Sequence, residues 1–121
     1  MVVSVLMLVS APSWSDEVRH VYHCVQEEGA HDDALAEIAS EWVKAARELK
    51  GGENIQVYVH FPIAADVGEV DFLFVVVAPS FEEMGEFLHA YDGSPLEEID
   101  DRFDQLASCP NSAFWDSITI D

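Results

Sequence analysis

The side chains of this sequence best able to act as acid, base or ligand are its imidazoles and phenols, and several fall in alternating stretches. In Ile55–Phe61, I-Q-V-Y-V-H-F, the residues Ile55, Val57, Val59 and Phe61 share one side of an extended chain. Gln56, Tyr58 and His60 share the other. Val18–Val25, V-R-H-V-Y-H-C-V, carries His20, Tyr22 and His23, and Phe114–Ile120, F-W-D-S-I-T-I, carries Trp115, Ser117 and Thr119. Gathered on one sheet face, Tyr58, His60, His23 and Trp115 would line a concavity suited to a small ligand. There His60 and a first-strand His could serve as acid, base or metal ligand. A one-residue change of register sends each to the opposite face, and on an edge strand or at a subunit interface the same residues are ordinary structural side chains.

No sharper chemistry is written in the motifs. There is no G-x-S-x-G, phosphate-binding loop, dinucleotide fingerprint or H-E-x-x-H. His31 beside Asp32 and Asp33 reads as a loop leading into a helix cap. Glu27-Glu28, Glu97-Glu98 and Asp100-Asp101 read as solvated acidic faces. C-x-x-C is absent, which excludes thioredoxin-type redox chemistry and a zinc knuckle. Neither a metal site nor a resident cofactor is expected.

The elements that must position these residues are readable in order. After the strand Val18–Val25, Asp32 or Asp33 caps a helix over Asp33–Lys50. Leu35, Ile38, Ala39, Trp42, Ala46 and Leu49 form its apolar face, and Gly51-Gly52 ends it. The strand Ile55–Phe61 stops at Pro62, and Ile63–Val70 connects it to D-F-L-F-V-V-V-A-P at Asp71–Pro79. That unbroken apolar run reads as a strand covered on both faces, hence central in a sheet. Ser80 and Glu83 make a capping box for Phe81–Tyr91, with Phe81, Met84, Leu88 and Tyr91 as its stripe. Ser94-Pro95 starts Pro95–Ala107, with Leu96, Ile99, Phe103 and Leu106 facing one way. Cys109-Pro110-Asn111 reads as a turn before the last strand, Phe114–Ile120.

This β-α-β-β-α-α-β order is the split β-α-β pattern of a ferredoxin-like α+β fold. It predicts a four-stranded antiparallel sheet of order 4-1-3-2 with the helices on one face. The most apolar strand is then the third, one of the two central ones. The end of the first strand meets the start of the fourth, so Cys24 approaches Cys109 and a disulfide between them is expected. In the chain-entropy model so long a loop stabilises the fold by roughly 4 kcal/mol, less any strain. The alternative is a pair of buried free thiols.

The open sheet face cannot be simply solvated, because the third strand is apolar on both sides. It needs a second subunit, a ligand or the N-terminal segment. Over Val18–Ile120 the element order resembles the dimeric α+β barrel group, in which two ferredoxin-like subunits pack sheet to sheet. The group includes small monooxygenases, haem-handling proteins and ligand binders. The resemblance implies a homodimer through the open face, and no functional residue carries over because no family motif is present.

The 121 residues suit one domain, and 50% hydrophobic content fills its core. Five Lys and Arg against 24 Asp and Glu give a formal charge of −19, which repels phosphate backbones and anionic membranes. Nucleic-acid binding is rejected; the charge reads first as solubility, as in a salty habitat, and alternatively as suiting a small apolar or cationic ligand. Residues 1–15 are uncharged, with an apolar core from Val2 to Val9 too short to span a bilayer. They are expected to be a signal peptide cleaved before Asp16. That makes 16–121 an exported domain, periplasmic or extracellular, with no membrane span. The alternative is an apolar N-terminal strand or tail of the folded domain. Two readings follow: a self-associating or small-ligand-binding domain without catalysis, or a small oxygenase-like or isomerase-like enzyme with Tyr58, His60 and a first-strand His in a cavity between sheets.

Overall fold

Seven residues without a charge, Phe72–Ala78, form a strand that is buried along almost its whole length. The rest of the chain is laid around it in the order β1 (Ser13–Gln26), α1 (Asp32–Arg47), β2 (Gln56–His60), β3 (Phe72–Ala78), α2 (Phe81–Tyr91), α3 (Leu96–Phe103) and β4 (Ala107–Thr119). The computed structural model describes the backbone of residues 13–64 and 68–120, and the side chains of 17–64, 68–118 and 120. The leader expected at the N-terminus therefore lies outside the described residues up to residue 12, while Ser13–Ser15 open β1. Residues 65–67 of the connector also lie outside them.

The four strands form one antiparallel sheet of order β2-β3-β1-β4, which is the ferredoxin-like order 4-1-3-2 read from the other edge. Register decides the two faces. His20 pairs with Val76, Tyr22 with Phe74 and Cys24 with Phe72, so these side chains point to the helices. Val57 and Val59 of β2 join the same face opposite Val76 and Phe74. The core packs here, with Phe72, Phe74, Val76 and Ala78 under Leu35, Ile38, Trp42, Met84, Phe87, Leu96, Ile99 and Phe103. Val75 and Val77 take the other face, flanked by Tyr58 and Val21 and by Gln56 and Arg19.

The helices begin and end as backbone chemistry dictates, with local corrections to the sequence reading. α1 starts one residue earlier than expected, with His31 at the N-cap and no side-chain cap. Asp32 and Asp33 occupy its first turn, where their charge complements the helix dipole. The helix stops at Arg47, and Gly51 makes the turn at φ +87°. At α2 the Ser80 hydroxyl accepts from the Glu83 N–H as expected. Its stripe is different: Phe81 is 69% exposed and Leu88 38%, whereas Met84 and Phe87 are buried. The two glycines explain the choice. A Cβ on Gly51 would lie 2.6 Å from the Phe87 nitrogen, and one on Gly52 would lie 3.0 Å from the Phe87 ring. Only bare glycine lets α2 approach closely enough to insert Phe87. α3 is shorter than expected, ending at Phe103, with Pro95 as N-cap and the Gly93 N–H donating to Glu97.

The larger correction is at the C-terminus. Cys109-Pro110-Asn111 is not a turn but part of β4, which starts at Ala107. Val25 pairs with Ser108 and His23 with Asn111, so Cys24 faces both Cys109 and Pro110 across a bulge. Proline is tolerated there because β4 is an edge strand. The disulfide Cys24–Cys109 closes across this bulge and spans 85 residues. Replacing both cysteines by alanine should lower stability by about 2–4 kcal/mol. The shift of the urea midpoint against the oxidised parent measures it, and an unchanged midpoint would show that the strand pairing holds β4 without the bond.

Candidate functional site

Register settles the fate of the residues singled out for chemistry. Tyr58 pairs with Val75 and His60 with Leu73, His23 lies between Leu73 and Asn111, and Trp115 pairs with Arg19. All four therefore lie on the open face of the sheet. Only Tyr58 and His60 touch, with ring centroids 5.9 Å apart and planes 13° from parallel. Tyr58 and Trp115 are on opposite edge strands, which lie about 14 Å apart at the usual strand spacing. His20 and Tyr22 point the other way. His20 is buried against Tyr22 and Phe114, with ring centroids 4.1 and 4.0 Å away, and its Nε2 shares a hydrogen bond of 3.0 Å with Ser112 Oγ. Burial pulls its pKa below the usual imidazole value. Among the described residues, no group of three or more His, Cys, Asp or Glu is placed to hold a metal ion.

The chemistry converges instead between the sheet and the helices. A cavity of about 260 Å³ opens there, floored by Tyr22 of β1 and Phe74 of β3. Trp42 of α1, Tyr91 at the end of α2 and Phe103 of α3 wall it, and Asp104 and Cys109 lie at its rim. At about 30 Å³ per water it holds roughly nine waters, or an organic molecule of about ten heavy atoms. The rings are steeply inclined, Trp42 at 84° to Phe74, Tyr22 at 64° to Phe74 and Phe74 at 69° to Phe103. They form walls rather than a stack.

One carboxylate enters this aromatic shell. Asp100 of α3 accepts from Trp42 Nε1 at 3.1 Å through one oxygen and from the Tyr91 hydroxyl through the other. Three helices are tied together at that side chain. Burial raises its pKa to about 6, the Trp42 hydrogen bond opposes the rise, and the charges of Asp104 and Asp101 add to it. Burial, followed by the charge of Asp100, pushes Tyr22 up to about 12, so its hydroxyl keeps its proton.

Asp100 is thus not the solvated acid that its neighbour Asp101 suggests. The signal for it was in the helix spacing. Asp100 stands four residues after Leu96 and three before Phe103, on the buried side, but a run of acids hides one member that points inward. Trp42 and Tyr91 were legible as core residues, not as donors to a shared acid.

Neither protein-family models nor curated protein sequences match this chain. Solved structures do. A hydroxynitrile lyase from Passiflora edulis superposes with a TM-score of 0.57 at 11% identity, covering 88% of this chain and 96% of that one. A protein of the dimeric α+β barrel family with a ferredoxin-like fold, from Mesorhizobium loti, gives 0.53 at 11% identity, covering 87% and 98%. SnoaB, a cofactor-independent oxygenase from Streptomyces nogalater, gives 0.52 at 9% identity, covering 88% and 95%. The chain has the ferredoxin-like fold of the dimeric α+β barrel proteins, as its element order implied. At these identities the likeness is one of fold.

The Asp100 titration has a readable consequence. The folded carboxyl binds its proton more tightly than an ordinary aspartate at 3.8, so folding is favoured where the group is neutral. That stabilisation is complete below about pH 4 and is lost as pH rises through about 6. Against Asp100→Asn, the parent should lose relative stability between those values and run parallel above them. Urea midpoints across the range measure this, and a pH-independent difference would show Asp100 to be solvated.

Proposed function

We propose that the protein is a homodimeric small-ligand-binding domain whose ligand enters the cavity between sheet and helices. The observation that carries the reading is the cavity itself: three helices and the sheet leave an aromatic-lined space beside a half-buried carboxyl of raised pKa. A concave, mainly apolar site with few converging polar groups is the usual form of a small-molecule pocket.

The dimer rests on the open sheet face. Tyr58 is 43% exposed and Trp115 54%, on either side of the apolar Val75 and Val21. Packing two such faces covers them, and kinship of fold with the dimeric α+β barrel proteins supports it. Tyr58, His60, His23 and Trp115 then line the interface and any space left within it. Export fits the same reading, since a structural disulfide persists in oxidising compartments. Residues 1–15 serve as the leader, and cleavage before Asp16 removes Ser13–Ser15 from the start of β1. No helix among the described residues is long and apolar enough to cross a membrane.

A second reading, an enzyme, is favoured by the Asp100 carboxyl, which titrates near 6 beside the cavity and so can exchange a proton with a bound molecule. Two structural relatives of the fold are enzymes, a lyase and an oxygenase. Cyanide release from an aromatic hydroxynitrile, absent in Asp100→Asn, is the result that would turn the site from binding to catalysis.

Two measurements test the main reading. Light scattering should give twice the mass of a single chain, and Tyr58→Glu with Trp115→Glu should return it to one. A parent that is already monomeric would refute the dimer. Aromatic fragments should shift the Trp42 indole resonance in the parent and not in Asp104→Trp, which plugs the rim without touching the core. Identical shifts in both proteins would place binding elsewhere.

A further inference from the structure

We infer that the cavity selects a small organic cation, an ammonium group carried on a short apolar or aromatic body. This rests on the proposal that the cavity is the ligand site and adds the chemical class of its occupant.

The cavity's donors are mostly spent: the Trp42 indole N–H and the Tyr91 hydroxyl both donate to Asp100. The Tyr22 hydroxyl remains, held protonated by its burial. No Lys, Arg or His is among the lining residues. An anionic ligand would find no counter-charge, and a neutral ligand rich in acceptors would find few donors. The acceptors and electron-rich surfaces are in excess. Asp100 at the wall and Asp104 at the rim are carboxylates, and five inclined aromatic rings enclose the space between them. A desolvated ammonium over aromatic faces gains more than at an exposed site, and a nearby carboxylate adds direct charge pairing. Charge outside the cavity acts in the same sense, because a formal −19 raises the local concentration of cations at the mouth.

Three probes of similar size and different charge decide the matter at pH 7.5: benzyltrimethylammonium, 3-phenylpropan-1-ol and 3-phenylpropanoate. The full-length oxidised protein is titrated with each, read by the Trp42 indole resonance and assigned with Trp42→Phe. The ammonium should bind at least about tenfold more tightly than the alcohol, and the carboxylate should be weakest. Asp100→Asn should remove most of that preference for the ammonium over the alcohol.

A second measurement does not depend on a variant folding. The probe's charge is permanent, so its affinity in the parent should fall severalfold as pH drops from 7.5 to 5, when Asp100 takes up its proton. The titratable groups around Asp100 are Tyr22 from β1, Tyr91 from α2, and Asp101 and Asp104 beside it on the chain. α1 contributes the neutral Trp42, with Glu41 engaged by Arg102. Alcohol or carboxylate binding as tightly as the ammonium would overturn the cation preference and leave the cavity as a ligand site. A pH-independent affinity for the ammonium would overturn it in the same way. No shift with any of the three probes would overturn both.

Discussion

The pairing of β1 with β3 is the constraint on which the rest of the structure depends. Each strand alternates its side chains with a period of two, so one register assigns every residue of the sheet to a face. With His20 opposite Val76 and Cys24 opposite Phe72, the helix side receives Tyr22, Phe74 and the half-cystine. The open side receives Val75, Val77 and His23. A slip of one residue would put Arg19 and His23 against the helices and expel Tyr22, Cys24 and the cavity floor with them. The apolar β3 makes such a slip tolerable to itself, since both its faces are apolar. The choice must therefore be enforced by β1, and by whatever holds β1 to its other neighbour.

The disulfide supplies that second hold. Cys24 is fully buried and faces the bulge of β4, where one strand carries an extra residue against the other. A bulge is a place where register can shift, and a covalent bond across it fixes one alignment. The same bond places Cys109 at the rim of the cavity. One cross-link therefore fixes the edge strand, the orientation of β1 and the mouth of the candidate site. Within the helix layer, Gly51 and Gly52 do the equivalent work, giving Phe87 the space by which α2 docks.

These particulars explain why the fold was more legible than the site. The order of elements follows from hydrophobic periodicity, a local signal, and the central position of Phe72–Ala78 and the meeting of Cys24 with Cys109 follow from the topology that this order implies. The β4 boundary was missed because Pro110 is a turn signal whose exception, an edge strand at a bulge, exists only once the sheet order is known. In the α2 stripe Met84 and Tyr91 face the core as their spacing implies, but Phe87 takes the place of Phe81 and Leu88, a choice that helical spacing leaves open and that Gly51 and Gly52 make. Alternation groups Tyr58 with His60 and Trp115 with Ser117, but which face each group takes, and whether His20 or His23 joins them, depends on strand register. Asp100 was missed for a different reason. Helical spacing from Leu96 and Phe103 puts it on the inward side of α3, but its partners come from α1, α2 and β1, and no linear neighbour reports them.

What Asp100 does in the fold sharpens the question of the cavity beside it. Two donors, the Trp42 indole and the Tyr91 hydroxyl, reach it from different helices, and a carboxylate is the side chain with two acceptor oxygens to receive both. Holding three helices together is thus reason enough for an aspartate at this position, despite the cost of burying it. It is not reason for the empty space next to it. The space is open to solvent on one side, with the exposed Asp104 at its rim, so it is a cleft in the surface and not a gap in the close-packed interior. At about 260 Å³ it lies where aromatic rings from the three helices and the sheet meet the half-buried Asp100. Structural duty accounts for the acid and does not by itself account for the cleft beside it.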